Sequence, residues 1–329
     1  MSAGMLGKLG LAQETAFGSA AAPAVFAAVR SESFSMNNNL LQPSRVDGRR
    51  SAGRAVAGRV TADGGIAMDF VPDGAAPWLL KGLFGSVSSG PVDTGVYEHV
   101  FGCDETGGLP SFTVRVDQVN GCQDWLGCTV DSATLSGRPG GLVEMDVELK
   151  AQRPATAESV TAVYSQTPAF NATHLSFAFN GEQRTDFENL RLTIRNNVEG
   201  VHTLNGSRWV SKNVPGRFEV QGAVTFAFAS DADRRMFWGG AAADTPQVSI
   251  EPGSLTVSAE HTSIISGGYE YRFEIGLPEI YYATAAANIS AARDRILQTV
   301  VFYAAFNEAG AKMAELKLRN GDTSYPDPA

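Results

Sequence analysis

Cysteine is scarce: Cys103, Cys122 and Cys128 are the only three in 329 residues. So few in a long chain imply no disulfide framework, and a reducing compartment is the default expectation. The four histidines, His99, His174, His202 and His261, are scattered without HxH or HExxH spacing, and no Cys-x-x-Cys occurs. A structural metal needs clustered ligands, so no metal site is expected. Gly-x-Ser-x-Gly, Walker A and a strand-linked GxGxxG are missing as well, and GRPGG at residues 137–141 reads as a hairpin turn. No catalytic residue and no cofactor are assigned. Positive charge is in deficit, with 26 Lys and Arg against 35 Asp and Glu, a net charge of −9. That balance excludes a phosphate-gripping surface but not one past which nucleic acid slides. No apolar run approaches the roughly 20 residues that span a bilayer. Lys8, Gln13 and Glu14 interrupt the N-terminal apolar residues, so neither a signal peptide nor membrane insertion is expected, and assembly in a cytoplasm is.

Glycine, by contrast, is abundant at 35 residues, many in Gly-Gly, Asn-Gly and Pro-Gly pairs between alternating apolar runs. With 43% hydrophobic and 19% charged residues, the chain reads as a globular, mainly β protein with many turns. It also repeats itself. VAGRVTADGGIAMDFVPDGA at residues 56–75 matches VPGRFEVQGAVTFAFASDAD at residues 214–233, a shift of 158. Without a gap, residues 33–75 align with residues 191–233, and ten of the 43 positions are identical. They are Asn38, Asn39, Gly48, Arg50, Val56, Gly58, Arg59, Gly64, Phe70 and Asp73, each with its counterpart 158 residues later. Register kept through a variable loop points to duplication of a whole module.

Each copy reads as strand, long loop, strand, short helix and further strands. Phe34 and Met36 alternate with polar residues in the first strand, and Val60, Ile66, Met68 and Phe70 do so in the second. Gly64 and Gly65 suggest a bulge or bend there. Pro77 near the start and Gly85 after the end delimit one helix, and DADRRMFWGG forms its counterpart. The expected organisation is a first module over residues 1–158, with an N-terminal arm over 1–27, and a second over residues 159–329. A linker of about residues 152–172 joins them. The apolar helix residues Trp78, Leu79, Leu80, Leu83 and Phe84, with Met236, Phe237 and Trp238, are expected in the core. Gly58, Arg59, Phe70 and their repeats Gly216, Arg217 and Phe228 form the recurring turn and core element.

The loop over residues 40–55 holds Arg45, Arg49, Arg50 and Arg54 against Asp47 alone, and its counterpart over residues 198–213 holds Arg208, Trp209 and Lys212. Basic loops on an acidic protein suggest contacts with an acidic patch of another subunit. EMDVE at residues 144–148 places Glu144, Asp146 and Glu148 on one strand face, opposite Met145 and Val147.

Several stretches together resemble the tail tube proteins of long-tailed (siphovirus-like) bacteriophages. They are GKLGLAQETAFGSAAAPAVFAAVRSESFSMNNN at residues 7–39, with Glu14, Thr15, Gly18 and Pro23, then GRVTADGGIAMDF at 58–70, the block over 109–151 and NGDTSY at 320–325. The resemblance covers the chain nearly end to end. It implies two packed sheets with a flanking helix in each module, that is, tandem β-sandwich or barrel modules. It further implies strand pairing across subunits into an inner barrel, and stacked rings that house a tape-measure protein and conduct double-stranded DNA. Tail terminator and distal tail proteins are the implied neighbours, and the virion tail the implied location. Rings in this family present six equivalent modules. Three two-module chains would therefore close a homotrimeric, pseudo-six-fold ring, and six chains would if one module is an outer decoration. Asp63, Asp69, Glu219 and Gln221 are candidates to face the channel. The rival readings are a single-ring tail component and a carbohydrate-binding or hydrolytic β-sandwich.

Overall fold

The computed structural model describes residues 4–46, 48–106, 108–289 and 295–328. In chain order the first half contains β1 (Lys8–Gln13), β2 (Val25–Ala27), β3 (Val29–Glu32), β4 (Ser35–Asn37), β5 (Thr61–Asp69) and α1 (Ala75–Phe84). It continues with β6 (Gly85–Asp93), β7 (Val96–Cys103), β8 (Phe112–Asp117), β9 (Cys122–Gly137), β10 (Glu144–Ala151) and β11 (Arg153–Thr156). The second half has β12 (Leu175–Phe179), β13 (Glu182–Arg184), β14 (Phe187–Arg195), β15 (Glu199–Val201), β16 (Lys212–Val214), β17 (Glu219–Ala227) and α2 (Ala232–Trp238). It ends with β18 (Gly253–Ser266), β19 (Tyr269–Ala287), β20 (Leu297–Ala304) and β21 (Glu315–Asn320). The protein is mainly β, as its turn-rich composition predicts.

Two long strands organise it. The first part of β9 pairs with β8 and β11, and its second part pairs with β10. β19 does the same with β18 and β21, then with β20. Each long strand thus passes from an outer layer to an inner one, and bulges allow the turn. They fall at matching places. The ladder slips opposite residues 112–114 of β8 and 253–255 of β18, and again where Asp131 and Ala283 are skipped. The inner layers are the antiparallel ladders β3/β4–β5–β10–β9 and β14–β17–β20–β19. One continuous apolar cluster, from Leu9 and Ile66 through Leu192 to Phe302 and Leu318, fills the space between layers.

Period-2 patterning explains the inner strands: Ala62, Ile66 and Met68 of β5 point inward, while Asp63 and Asp69 point out. Of the bulge or bend expected at Gly64 and Gly65, a bulge is not there, because β5 and β10 stay in register throughout. The break lies instead between the edge strands β3 and β4, where the Phe34 ring folds onto Gly64. A Cβ at Gly64 would come within 2.5 Å of that ring, so the glycine is an aromatic seat.

α1 is buried on all sides except at Trp78, and Gly85 ends it in the left-handed conformation, φ 84°. Its buried Lys81 ammonium donates to Gln13 Oε1 at 2.8 Å, Tyr325 O at 2.9 Å and Asp327 Oδ1 at 2.7 Å. The chain terminus is thereby tied down over the helix. α2 differs from expectation. Met236, Phe237 and Trp238 are only half-buried, and Trp238 lies under the Arg234 guanidinium, 5.2 Å from its ring centroid.

Two buried polar clusters explain residues that carry the family resemblance. Glu14 accepts from Thr113 Oγ1 at 2.9 Å, Gly127 N at 2.8 Å, Gly18 N at 2.8 Å and Ser111 Oγ at 2.7 Å. At the other terminus Asn320 Nδ2 donates to Pro72 O at 2.8 Å and Tyr325 Oη at 2.7 Å. Its Oδ1 lies 2.9 Å from His99 Nε2. Because that oxygen only accepts, Nε2 carries the proton and Nδ1 accepts from Ser89 Oγ at 2.7 Å.

Glu14→Ala should leave four donors without their acceptor and lower stability by about 3 kcal/mol, measured by urea unfolding. Burial holds the His99 and His174 pKa values below the usual histidine value of 6.5. The unfolded chain then binds protons first as pH falls. Stability should be full above pH 6.5 and decline below it until the folded histidines titrate. Melting temperatures at pH 7.5, 6.0 and 5.0 should fall in that order, less steeply for His99→Gln.

Candidate assembly interface

The two inner ladders join edge to edge. Residues 132–137 of β9 pair antiparallel with residues 190–195 of β14, Thr134 facing Thr193 and Ala133 facing Ile194. Ala133, Leu135, Leu192 and Ile194 are buried on the core side, and the Thr134 and Thr193 hydroxyls meet at 3.0 Å on the other. Past the ladder, Asn196 N donates to Asp131 O at 2.7 Å. The Asn196 side chain donates to Leu83 O at 2.9 Å and Val130 O at 3.0 Å. The Asp131 carboxylate accepts from Val198 N at 2.7 Å. A second seam forms where β7 pairs with β21. The inner sheet is therefore continuous across eight strands, four from each half.

The repeated residues have specific physical roles here. Asn39 and Asn197 end their strands in the left-handed region, φ 42° and 48°, which asparagine tolerates well. Their side chains donate to the Arg59 carbonyl at 3.1 Å and the Arg217 carbonyl at 2.8 Å. A Cβ on Gly58 would sit 2.1 Å from Asn39 O, and one on Gly216 2.7 Å from Asn197 O. Gly is needed because the turn carbonyl lies on its Cα. The Arg59 and Arg217 side chains are exposed; their backbone does the work. Phe70 is fully buried against Phe170 and Phe273. Phe228, just beyond β17, is only half-buried, and Phe226 takes the interior place.

The two basic loops are placed differently. Arg208 turns inward, its Nε donating to Gly58 O at 2.7 Å and its Nη2 to Asn38 Oδ1 at 2.9 Å, while Val60 N donates to Arg208 O at 2.8 Å. Trp209 is half-buried and Lys212 exposed. Arg45, Arg49, Arg50 and Arg54 are exposed on the first loop, and Asp47 lies outside the described residues. The loops share one feature that charge inspection misses. Val46 and Leu204, 158 residues apart, are fully exposed apolar side chains at matching positions. The shared shift is a signal that the sequence does contain.

Among the described residues, the sheet has two open edges. β3 and β4 pair only with β5, and residues 281–287 of β19 pair only with β20. The exposed side chains at the first edge have buried repeats. Met36 is 40% exposed and its repeat Ile194 2%, while Leu40 is 65% exposed and its repeat Val198 7%.

The outer face of the sheet is polar. Asp63, Asp69, Glu144, Asp146, Glu148, Glu219 and Gln221 lie on it with Arg30, Lys150, Arg191 and Arg195. Arg30 reaches Glu144 at 2.5 Å and Asp146 at 3.0 Å, and Lys150 lies 3.9 Å from Asp63. The described residues hold no cluster of three or more His, Cys, Asp or Glu that could bind a metal. Burial raises the Cys128 thiol well above its usual range and pushes Cys103 up to about 12, with Glu105 and Asp104 adding to it. Neither is a ready nucleophile.

A family model described as phage tail tube protein matches residues 4–304. No curated protein matches the chain.

Gly58→Ala, which drives a methyl group into the Asn39 carbonyl, should destabilise the fold by about 1–3 kcal/mol in equilibrium unfolding.

Proposed function

The chain belongs to the phage tail tube protein family, and from that premise we propose that three copies close into a ring and that rings stack into the tube. As a member of this family the protein is a structural virion component that associates with itself, and the family is not one of enzymes. The observation that carries the ring is the inner sheet itself. One seam between four-strand ladders is already closed within the chain, and a matching pair of edges is left open. Unpaired edges are a liability in a monomer, and closure on further copies satisfies their backbone groups. Two ladders per chain favour three chains, with six ladders in near-equivalent positions. This reading takes the two halves, residues 1–158 and 159–329, as duplicated modules; the shared bulges and registers support it.

In this arrangement the polar outer face, with Asp63, Asp69, Glu219 and Gln221, lines the channel. Of its four cations, Arg30 and Lys150 already lie against carboxylates, and the six carboxylates of the face outnumber Arg191 and Arg195 as partners for phosphate. The chain's net charge of −9 then lets double-stranded DNA pass with few contacts to break. The tape-measure protein would occupy the channel before DNA, and terminator and distal tail proteins would cap the tube. Assembly would take place in the host cytoplasm. The loops over residues 40–55 and 198–213, tipped by Val46 and Leu204, would contact the next ring.

Electron microscopy and native mass spectrometry of concentrated protein should give stacked rings of three chains. Rings of six would keep the tube and make one module a decoration. Rings that never stack would indicate a single-ring tail component, and monomers at every concentration would defeat the proposal. The Val46→Ser, Leu204→Ser double variant should form rings that no longer stack.

A further inference from the structure

The exposed edges carry enough detail to say how copies meet, given the ring reading above. We infer that the seam between neighbouring copies repeats the β9–β14 seam within the chain, residue for residue. Two independent observations converge on one alignment.

The first is register. The matching bulges at Asp131 and Ala283 equate residues 132–135 of β9 with residues 284–287 of β19. The 158-residue repeat equates residues 192–195 of β14 with residues 34–37. Transferring the internal pairs of Leu135 with Leu192, Thr134 with Thr193, Ala133 with Ile194 and Ser132 with Arg195 gives the new ones. Ala287 of one copy faces Phe34 of the next, Ala286 faces Ser35, Ala285 faces Met36 and Thr284 faces Asn37. Met36 then becomes buried, as Ile194 already is.

The second is a clamp with one member open at each end. Arg208 of the second half covers the Gly58 carbonyl of the first, and Gly58 is buried. Its repeats are Arg50 and Gly216, and both are exposed. In a closed ring the Arg50 guanidinium donates to the Gly216 carbonyl of the adjoining copy. Within the loops over 40–55 and 198–213 only Gly48 with Gly206 and Arg50 with Arg208 are identical.

Cysteine pairs test the register. Asn196 N bonding to Asp131 O makes Thr134 and Thr193, three steps back along each strand, members of a non-hydrogen-bonded pair. Ser35 and Ala286 inherit that geometry, with Cα atoms about 4.5 Å apart, within disulfide reach. In a Cys103→Ser, Cys122→Ser background, Ser35→Cys with Ala286→Cys should oxidise in assembled rings to a covalent, closed three-chain species. Ser35→Cys with Thr284→Cys, slipped by two residues, should not. Rings seen in micrographs without the first cross-link, or with only the slipped one, would overturn the register while leaving the ring intact. Failure to form rings at all would overturn both. Arg50→Ala should melt as the parent monomer does but need about tenfold more protein to form rings, whereas Arg208→Ala should lower the monomer's melting temperature. Unchanged assembly by Arg50→Ala would remove the clamp.

Discussion

Backbone pairing at the edge of the inner sheet is the constraint on which the rest depends. A strand left with a free row of N–H and C=O groups invites a partner, and this chain answers that once within itself, at β9 and β14. The long strands β9 and β19 make the solution available twice. Each leaves the outer layer through one bulge, crosses to the inner layer and presents its far half as an edge. At the first of these edges the chain's own second half is waiting. At the other, no strand among the described residues remains to pair, although the side chains around it repeat those already buried.

The outer layers and the termini hold that sheet rigid rather than extend it. Glu14 fixes the first strand to Gly127, at the point where β9 bends, through a carboxylate with four donors. Lys81 and Asn320 bind the C-terminal segment across α1. These charges and amides are buried and well satisfied, so they specify one arrangement of the layers and not a range of them. The β6–β7 hairpin, which has no counterpart among the described residues of the second half, pairs with β21 and closes a second seam. The halves therefore differ on their outer side while their inner ladders match.

Much of the inner ladder was legible in the sequence. The alternation in β5 and β10, the helix between Pro77 and Gly85, and the identities at Asn39, Gly58 and their repeats all correspond to features of the fold. What misled was the reading of glycine and arginine as local features. Gly64 predicted a bulge or bend in its own strand, yet it seats the ring of Phe34. Arg208 predicted a loop reaching outward, yet it holds the first half of its own chain. Phe228 matched Phe70 in sequence but not in burial, because Phe70 packs against Phe170 and Phe273 while Phe226 takes the interior place in the second half.

The sequence by itself determined the strand periodicity, the turns and the 158-residue repeat, because those depend on neighbours along the chain. It also placed the chain with the tail tube proteins. The similarity of the later strands was hidden, because the β6–β7 hairpin and the longer β18–β19 hairpin shift the alignment without altering the pairing. Only the tertiary structure decided which copy of each repeated residue is covered. Burial of Ile194 and exposure of Met36 follow from which edge has a partner, a property of strand pairing across distant parts of the chain that no local pattern encodes.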